Sequence, residues 1–347
     1  MAKVLANRER LAGLRAALLA WYERHRRDLP WRHTRDPYAI WVSEIMLQQT
    51  RVAAVVDRYQ AFMERFPDVF ALAEAAEQEV LGLWSGLGYY RRARMLHKAA
   101  QVVASTGRGI MPGTAAELLA LPGIGSYTAA AIASIAYNQP VAVVDGNVER
   151  VLCRIGGWDA DGGHEPRVQE LAGRLVDPDR PGDFNQAMME LGATVCLPRN
   201  PQCLVCPVAE HCRTRGEHRT APRARTVVRE AGYALCLRAD GAGPVIERAE
   251  VLLQQRPATF TVMPALWELP SLRETPNGDA RMTLRHAIMN VNYVVRIRDV
   301  REEELPELAV AGGERRWVPL REAGAMALTG LARKVLKRVS SPVAQNR

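Results

Sequence analysis

The chain has 347 residues, 48% of them hydrophobic, and a formal net charge of +8. This length favours two domains over one, the apolar content is ample for buried cores, and the positive charge favours a polyanionic partner. No uninterrupted apolar stretch is long enough to cross a membrane and no signal peptide is recognisable, so we expect a cytoplasmic protein with no membrane partner.

The first 210 residues or so are predicted to be helical almost throughout. Apolar side chains recur at helical spacing up to Trp21, and a long amphipathic pattern runs over residues 41–62. A further helix is predicted over residues 72–84. Glu44 falls among apolar positions near the predicted start of the long helix. A carboxylate there is ordinarily a surface or helix-dipole residue.

Two glycine-bearing turns flank a helix predicted over residues 128–137. The first turn, Leu121-Pro122-Gly123-Ile124-Gly125, cannot be helical at its proline and is predicted to be a tight hairpin. Its glycines let another backbone approach, and the helix after it offers free N–H groups to a phosphate. The second turn places Asp145 just before a helix predicted over residues 148–155, where N-capping is its ordinary role.

Four of the six cysteines form a C-x6-C-x2-C-x5-C array of Cys196, Cys203, Cys206 and Cys212. Four thiolates within seventeen residues can surround one soft metal centre, and the ligand type alone leaves both tetrahedral zinc and an iron–sulfur cluster open. The other two, Cys153 and Cys236, are expected to be buried apolar residues.

The character of the chain changes after the cysteines. Residues 213–229 carry six arginines and one glutamate and are predicted to be a basic linker. Strand-like periodicity follows, including one run over residues 284–297, and a closing helix is predicted over residues 328–339. Residues 230–347 are therefore expected to form an α+β domain.

A linked set of motifs in the helical part resembles the helix-hairpin-helix DNA glycosylase superfamily, and specifically the adenine DNA glycosylases of the MutY family. The set comprises Leu29-Pro30-Trp31-Arg32, residues 43–50, Gly86-Leu87-Gly88-Tyr89-Tyr90, residues 121–128, residues 144–148, Phe184-Asn185-Gln186 and the four cysteines. The resemblance covers about residues 8–215. It implies an all-α helix-hairpin-helix glycosylase domain over residues 1–212, with a [4Fe–4S] cluster on the loop 196–212.

Cleavage of an N-glycosidic bond needs one acid to protonate the leaving base and one carboxylate to stabilise the oxocarbenium ion. The resemblance implies that Glu44 and Asp145 take these roles and that Tyr127 and Asn147 orient them. It also implies an adenine pocket lined by Arg27, Trp31, Arg32, Leu47, Val52 and Gln186. The residues implied to contact DNA are Gln48, Gln49, Tyr89, Gly123, Ile124, Gly125 and Asn290, with Gln49 and Tyr89 wedging into the base stack.

Lysine usage indicates that base removal is not coupled to strand cleavage. Bifunctional relatives form a Schiff base through a lysine in the hairpin helix. Tyr127 occupies that position here, and no lysine occurs between Lys98 and Lys334. We therefore expect a monofunctional glycosylase that acts as a monomer in base excision repair, on double-stranded DNA in which adenine is mispaired with 8-oxoguanine or guanine.

Residues 230–347 resemble the Nudix-like lesion-recognition domain of these glycosylases, notably at residues 250–254 and 266–270. No Nudix box follows Pro270. In the family a Phe-Ser-His loop reads the oxidised guanine, and the aligned residues here are Ile288-Met289-Asn290, of which Asn290 retains a hydrogen-bond donor. Three alternatives remain open at this point: a glycosylase for mismatched thymine or oxidised pyrimidine, a non-catalytic metal-bearing DNA-binding protein, and a Nudix hydrolase with a DNA-binding arm.

Overall fold

The computed structural model describes residues 8–158, 164–217, 227–239, 249–276, 278–288, 291–309 and 313–340. The chain divides into two compact units. The first consists of Met1–Glu74 and Met95–Pro222, and the second of Ala75–Arg94 and Arg223–Arg347. None of the described helices is both long enough and apolar enough to cross a membrane.

The helices of the first part of the chain follow one another with short connections. In chain order they are α1 (Arg8–His25), α2 (Pro37–Leu47), α3 (Val52–Arg65), α4 (Val69–Glu74), α5 (Glu77–Trp84), α6 (Arg91–Thr106), α7 (Ala115–Leu118), α8 (Ser126–Tyr137), α9 (Gly146–Gly156), α10 (Glu165–Leu175) and α11 (Pro181–Thr194). Single 3₁₀ turns lie at Pro30–Arg32, Cys203–Val205 and Ala209–His211.

Helices α2 and α8 form the buried centre of the first unit. Every side chain of α2 from Tyr38 to Met46 is buried, and so is every side chain of α8 from Thr128 to Ile135. The alanines of α8 allow the two helices to pack closely. Helix α11 approaches both α8 and α9 through glycines. A Cβ on Gly182 would lie 2.8 Å from the Ser134 carbonyl oxygen, and one on Gly192 would lie 2.8 Å from the Asn147 Cβ.

Two of the predicted helices are interrupted. The pattern predicted as one helix over residues 41–62 is α2 and α3, separated at Gln49, whose φ of 55° is left-handed. Asp36 caps α2 by accepting from the Tyr38 and Ala39 amides, so α2 begins earlier than predicted and Glu44 lies near its end. The helix predicted over residues 72–84 is likewise α4 and α5. Continuous apolar periodicity did not reveal either break.

The second unit contains two sheets. Their strands are β1 (Val227–Leu235), β2 (Leu237–Ala239), β3 (Ala249–Gln255), β4 (Trp267–Glu268), β5 (Met282–Ile288), β6 (Val291–Asp299) and β7 (Arg315–Pro319). In one sheet β6 lies between a parallel β1 and an antiparallel β5. In the other, β3 pairs antiparallel with β2, β4 and β7.

The core of the second unit includes the apolar face of its last helix. A 3₁₀ turn at Glu302–Glu304 precedes the helices α12 (Leu305–Leu308), α13 (Leu320–Ala323) and α14 (Gly330–Val339). Leu331, Val335 and Leu336 of α14 are buried in one cluster with strand residues such as Val251 and Val295. The α+β character is as predicted, although the run predicted over residues 284–297 is a hairpin of two strands.

Candidate active site

One cavity in the first unit brings together residues that are distant in sequence. Its volume is about 880 Å³, which lies within the ~300–1,000 Å³ typical of ligand pockets. All four predicted catalytic residues and all six predicted adenine-pocket residues line it, namely Glu44, Tyr127, Asp145, Asn147, Arg27, Trp31, Arg32, Leu47, Val52 and Gln186. Gln48, Gln49, Gly123 and Gly125 line it as well.

Glu44 is a buried acid that faces this cavity. It is 5% exposed, and the Tyr127 hydroxyl donates to its Oε2 at 2.8 Å. Burial raises the pKa of Glu44 to about 7, the bond from Tyr127 opposes this rise, and the Asp145 charge adds to it. Near neutral pH the side chain is therefore protonated in a large fraction of molecules, as a general acid must be.

Asp145 combines a capping role with a position on the cavity wall. It is the N-cap of α9, where its Oδ1 accepts from the amides of Asn147 at 2.9 Å and Val148 at 2.7 Å. Its Oδ2 accepts from the Asn147 side-chain amide at 2.9 Å. The N-terminal end of α9 also favours negative charge there. Capping and a catalytic role are thus compatible, since the cap fixes the carboxylate in the cavity wall.

Arg150, which was not predicted from the sequence, connects Asn147, the partner of Asp145, to the cysteine loop. Its Nη2 donates to Asn147 Oδ1 at 3.0 Å and to the Gly192 carbonyl oxygen at 2.8 Å. Its Nε donates to the Cys196 carbonyl oxygen at 2.9 Å. One guanidinium therefore joins α9, α11 and the start of the loop, so displacement of the loop would be transmitted to Asn147.

Glu190 is a further residue of the cavity wall that the sequence analysis missed. Its side chain is fully buried and accepts from Arg27 Nη2 and Arg32 Nη2, each at 2.7 Å. Burial opposes ionisation, but these two partners outweigh it and hold the pKa of Glu190 at about 2. The four-residue spacing from Gln186 to Glu190 on α11 places both on one helix face, and that spacing was the available signal.

The remaining pocket residues differ in how firmly they are held. Gln186 Oε1 accepts from the Tyr22 hydroxyl at 3.1 Å. Trp31 is 7% exposed and contacts Tyr59 edge to face at 5.3 Å between centroids, so it belongs to the core while also lining the cavity. Leu47 and Val52 are partly exposed on either side of the break between α2 and α3.

The predicted hairpin precedes α8 and has the expected glycine requirement. Gly123 has a φ of 78°, and a Cβ there would lie 2.4 Å from the Met95 Cβ. Gly125 is exposed at the N-cap of α8. The Ile124 side chain is 6% exposed and its amide donates to the Leu121 carbonyl oxygen, so neither group is presented to a ligand. Gln48 Nε2 donates to Thr128 Oγ1 at 3.1 Å.

Ile124 and Tyr89, which were predicted to contact DNA, are not among the residues that line this cavity. Tyr89 lies in the second unit, where it is 49% exposed with a φ of 47°. Asn290 lies outside the described residues, as does Met289.

The four clustered cysteines line a separate pocket of the first unit. Arg154 is 2% exposed there and donates to Cys196 Sγ at 3.3 Å and to the Leu197 carbonyl oxygen at 2.7 Å. The Arg215 amide lies 3.5 Å from Cys212 Sγ. Hydrogen bonds to sulfur stabilise ligating thiolates. As expected, Cys153 and Cys236 are each 1% exposed.

All four cysteines line this one pocket, beside the buried Arg154 and apolar side chains such as Ile155 and Leu191. Four thiolates with hydrogen-bond donors directed at sulfur suit a soft metal centre, and these donors fit either zinc or an iron–sulfur cluster.

Comparison with known families gives two matches. Residues 42–178 match the HhH-GPD superfamily of base excision DNA repair proteins. Residues 196–212 match the iron–sulfur binding domain of endonuclease III. The second match selects between the two metal centres that the cysteine ligands left open, and the loop binds a [4Fe–4S] cluster.

Comparison with characterised proteins gives adenine DNA glycosylases. The human protein is 51% identical over 217 residues, which are 59% of this chain and 40% of the human one. The Mycolicibacterium smegmatis protein is 46% identical over 218 residues, covering 62% of this chain and 74% of that protein. The chain thus spans less than half the length of the mammalian relatives it matches.

Two solved structures share the helical architecture. A thermostable thymine-DNA glycosylase is 32% identical with a TM-score of 0.55, over 60% of this chain and 97% of the other. A trapped endonuclease III–DNA covalent intermediate is 22% identical with a TM-score of 0.52, again over 60% and 97%. At that identity the second likeness concerns the fold alone.

Proposed function

This chain belongs to the adenine DNA glycosylase family, and we propose that it hydrolyses the N-glycosidic bond of adenine mispaired with 8-oxoguanine or guanine, without cleaving the strand. The observation that carries the proposal is the environment of Glu44, a buried carboxyl whose pKa is raised to about 7 in a cavity that Asp145 also lines. Two carboxylates supplied by different helices, one protonated and one held at a helix N-terminus, are what this hydrolysis needs.

In the proposed mechanism Glu44 protonates the imidazole ring of the extruded adenine as the glycosidic bond breaks. The Tyr127 hydroxyl orients Glu44 by donating to its Oε2. Asp145 then stabilises the oxocarbenium ion of the sugar or bonds to it. Water adds to the anomeric carbon and passes its proton to Glu44, which leaves an abasic site. The amides of α9 and the Asn147 side chain keep the Asp145 carboxylate oriented before the charge develops, so little reorganisation is needed in the transition state.

The adenine pocket is built around the charged group of Arg27, Arg32 and Glu190. Glu190 holds both guanidiniums in place through bonds of 2.7 Å. With Trp31 and Leu47 as apolar walls and the Gln186 amide as a hydrogen-bonding edge, the pocket offers the stacking and polar contacts by which a flipped base is recognised.

Contact with DNA is assigned to the hairpin and to two exposed side chains. The exposed N-terminus of α8 after Gly125 suits a strand phosphate. Gln49 and Tyr89 are both exposed with left-handed backbones, and we assign them as the residues that fill the gap left by the flipped nucleotide. Gln48, Gly123 and Ile124 support this surface rather than contact bases.

The [4Fe–4S] cluster is held by Cys196, Cys203, Cys206 and Cys212. When bound it cross-links the loop and thereby fixes the Cys196 carbonyl oxygen against Arg150. No step of base removal passes through it.

The proposed absence of strand cleavage rests on the tyrosine at position 127, which has no amine to attack the abasic sugar. A Schiff base with the abasic sugar requires an amine, and the sequence has no lysine between residues 98 and 334. Tyr127 occupies the hairpin-helix position and engages Glu44 instead.

The second unit is assigned as a Nudix-like domain that reads the opposite base. Its mixed sheet and closing helix α14 are consistent with that assignment, and the missing Nudix box argues against pyrophosphatase activity. The 32% identical thymine-DNA glycosylase makes mismatched thymine the alternative substrate.

The test is single-turnover base release from a set of duplexes. Adenine is placed opposite 8-oxoguanine, guanine or cytosine, and thymine opposite guanine. We expect release of adenine from the first two duplexes only, with the strand intact until it is treated with alkali. Release of thymine without adenine would replace the proposal by the thymine alternative. If no base is released from any duplex, the protein is a non-catalytic DNA-binding protein.

A further inference from the structure

The turn that carries Tyr89 adopts a conformation that its own residues disfavour. Gly86, Gly88 and Tyr89 have φ values of 101°, 70° and 47°. The glycines adopt such values freely, but a residue with a side chain does not. Tyr89 is also 49% exposed, so burial of its ring does not account for the conformation. Neighbouring groups must therefore impose it.

One set of restraints comes from within the turn. The Arg92 guanidinium lies 5.4 Å from the Trp84 ring centroid and 5.6 Å from that of Tyr89. Its Nη2 donates to the carbonyl oxygens of Leu87 at 3.1 Å and Gly88 at 3.2 Å. Trp84 Nε1 donates to the same Gly88 oxygen at 3.1 Å. These contacts fix the inner side of the turn.

A second set comes from the carboxy-terminal part of the same unit. Ser85 and Tyr90 flank the turn and are buried. Arg333 Nε donates to Ser85 Oγ at 2.7 Å, and the Tyr90 hydroxyl donates to the Leu328 carbonyl oxygen at 2.7 Å. Ser85 Oγ also lies 3.3 Å from the Tyr90 hydroxyl. The turn is thus held at both ends by one hydrogen-bonded network.

The far side of this network is itself anchored to a sheet. Trp267 of β4 donates its amide to the Ala327 carbonyl oxygen at 2.9 Å and accepts from the Thr329 amide at 2.8 Å. Thr329 caps α14. Helix α5 is in backbone contact with this segment, because a Cβ on Gly82 would lie 2.7 Å from the Ala325 carbonyl oxygen. A displacement of α14 would therefore reach the turn directly.

We propose that Arg333 and Tyr90 are positioning residues for Tyr89, so that the segment containing Leu328 and α14 acts on DNA through the Tyr89 turn. The inference rests on the proposed function in one respect, which is that Tyr89 contacts the duplex. It adds a physical connection between the carboxy-terminal domain and base extrusion that does not depend on how that domain reads the opposite base.

The test is a double-mutant cycle with the full-length, cluster-loaded protein. Arg333→Met, Tyr89→Ala and the double variant are compared on a duplex carrying 2-aminopurine beside the adenine mispair, whose fluorescence reports unstacking. We expect Arg333→Met to lower the unstacking signal and the single-turnover rate about tenfold, as loss of a charged hydrogen bond would. In the Tyr89→Ala background the same change should have no further effect. An undiminished effect in that background overturns the proposal.

Two further variants keep the test decisive. Tyr90→Phe removes one hydroxyl and keeps the ring, so it should reproduce the loss even if Arg333→Met folds poorly. Arg321→Met removes an arginine whose side chain is 71% exposed and should match the wild type. Adenine release by the wild type combined with wild-type behaviour of Arg333→Met and Tyr90→Phe refutes this inference alone. Failure of the wild type to release adenine refutes the proposed function.

Discussion

Glu44→Gln should raise the stability of the protein above about pH 7 and greatly reduce its activity. In the folded protein the pKa of Glu44 is about 7, compared with 4.5 for a free glutamate. Folding therefore favours the protonated form, and the wild type loses stability as the pH rises from 4.5 through 7. At about 1.4 kcal/mol for each tenfold change in proton affinity, the loss amounts to about 3 kcal/mol. Glutamine carries no charge and still accepts from the Tyr127 hydroxyl.

The wild type and Glu44→Gln should thus have similar free energies of unfolding at about pH 5, whereas Glu44→Gln should be more stable by about 3 kcal/mol at about pH 8. Urea unfolding at both pH values measures this, with the exposed Glu64→Gln as a matched control. Base release should fall by about 10²–10⁴-fold in Glu44→Gln, and in the wild type it should decline above about pH 7. If Glu44→Gln is no more stable than the wild type at about pH 8, burial does not raise the pKa of the Glu44 carboxyl. Undiminished base release would refute its catalytic role.

Three other substitutions test the rest of the site. Asp145→Asn keeps a side-chain oxygen that can cap α9, so the free energy of unfolding should change by less than about 1 kcal/mol. The rate of base release should fall at least about 100-fold. Glu190→Gln leaves Arg27 and Arg32 without a carboxylate partner. This should lower the free energy of unfolding by about 3 kcal/mol near pH 7 and weaken binding of the mispair. Because the pKa of Glu190 is held at about 2 when folded, that cost should disappear as the pH falls from 4.5 towards 2. Tyr127→Lys should acquire a borohydride-trappable adduct with abasic DNA that the wild type does not form.

Each of these has an outcome that contradicts it. Wild-type base release by Asp145→Asn would leave capping as the whole role of that residue. A stability cost of Glu190→Gln that is the same at pH 3 and pH 7 would show that the ion pair contributes nothing. A trapped adduct with the wild type would mean that an amine other than one at position 127 reaches the sugar.

Local sequence determined the elements whose signals are carried by neighbouring residues. Pro122 and Gly123 require a turn, Asp145 precedes a helix it can cap, and four cysteines within seventeen residues can ligate one metal centre. These features depend on backbone geometry and ligand chemistry that short segments specify by themselves. The α+β character of the second unit could also be predicted from the sequence. Alternation of apolar and polar residues, and continuous apolar runs such as β3, are local patterns.

Tertiary structure decided which of those residues act together. The apolar periodicity continues through Gln49, so the sequence gives no sign of the break between α2 and α3. Only the fold shows that α2 ends at Leu47 and that Glu44 lies near this end. The pKa of Glu44 depends on burial and on Asp145, a hundred positions away in the chain. Glu190 matters because Arg27 and Arg32 converge on it, and the second unit includes Ala75–Arg94 because Ser85 and Tyr90 bond to residues beyond 320. Such long-range proximity costs chain entropy that only the assembled core offsets, and no local pattern records it.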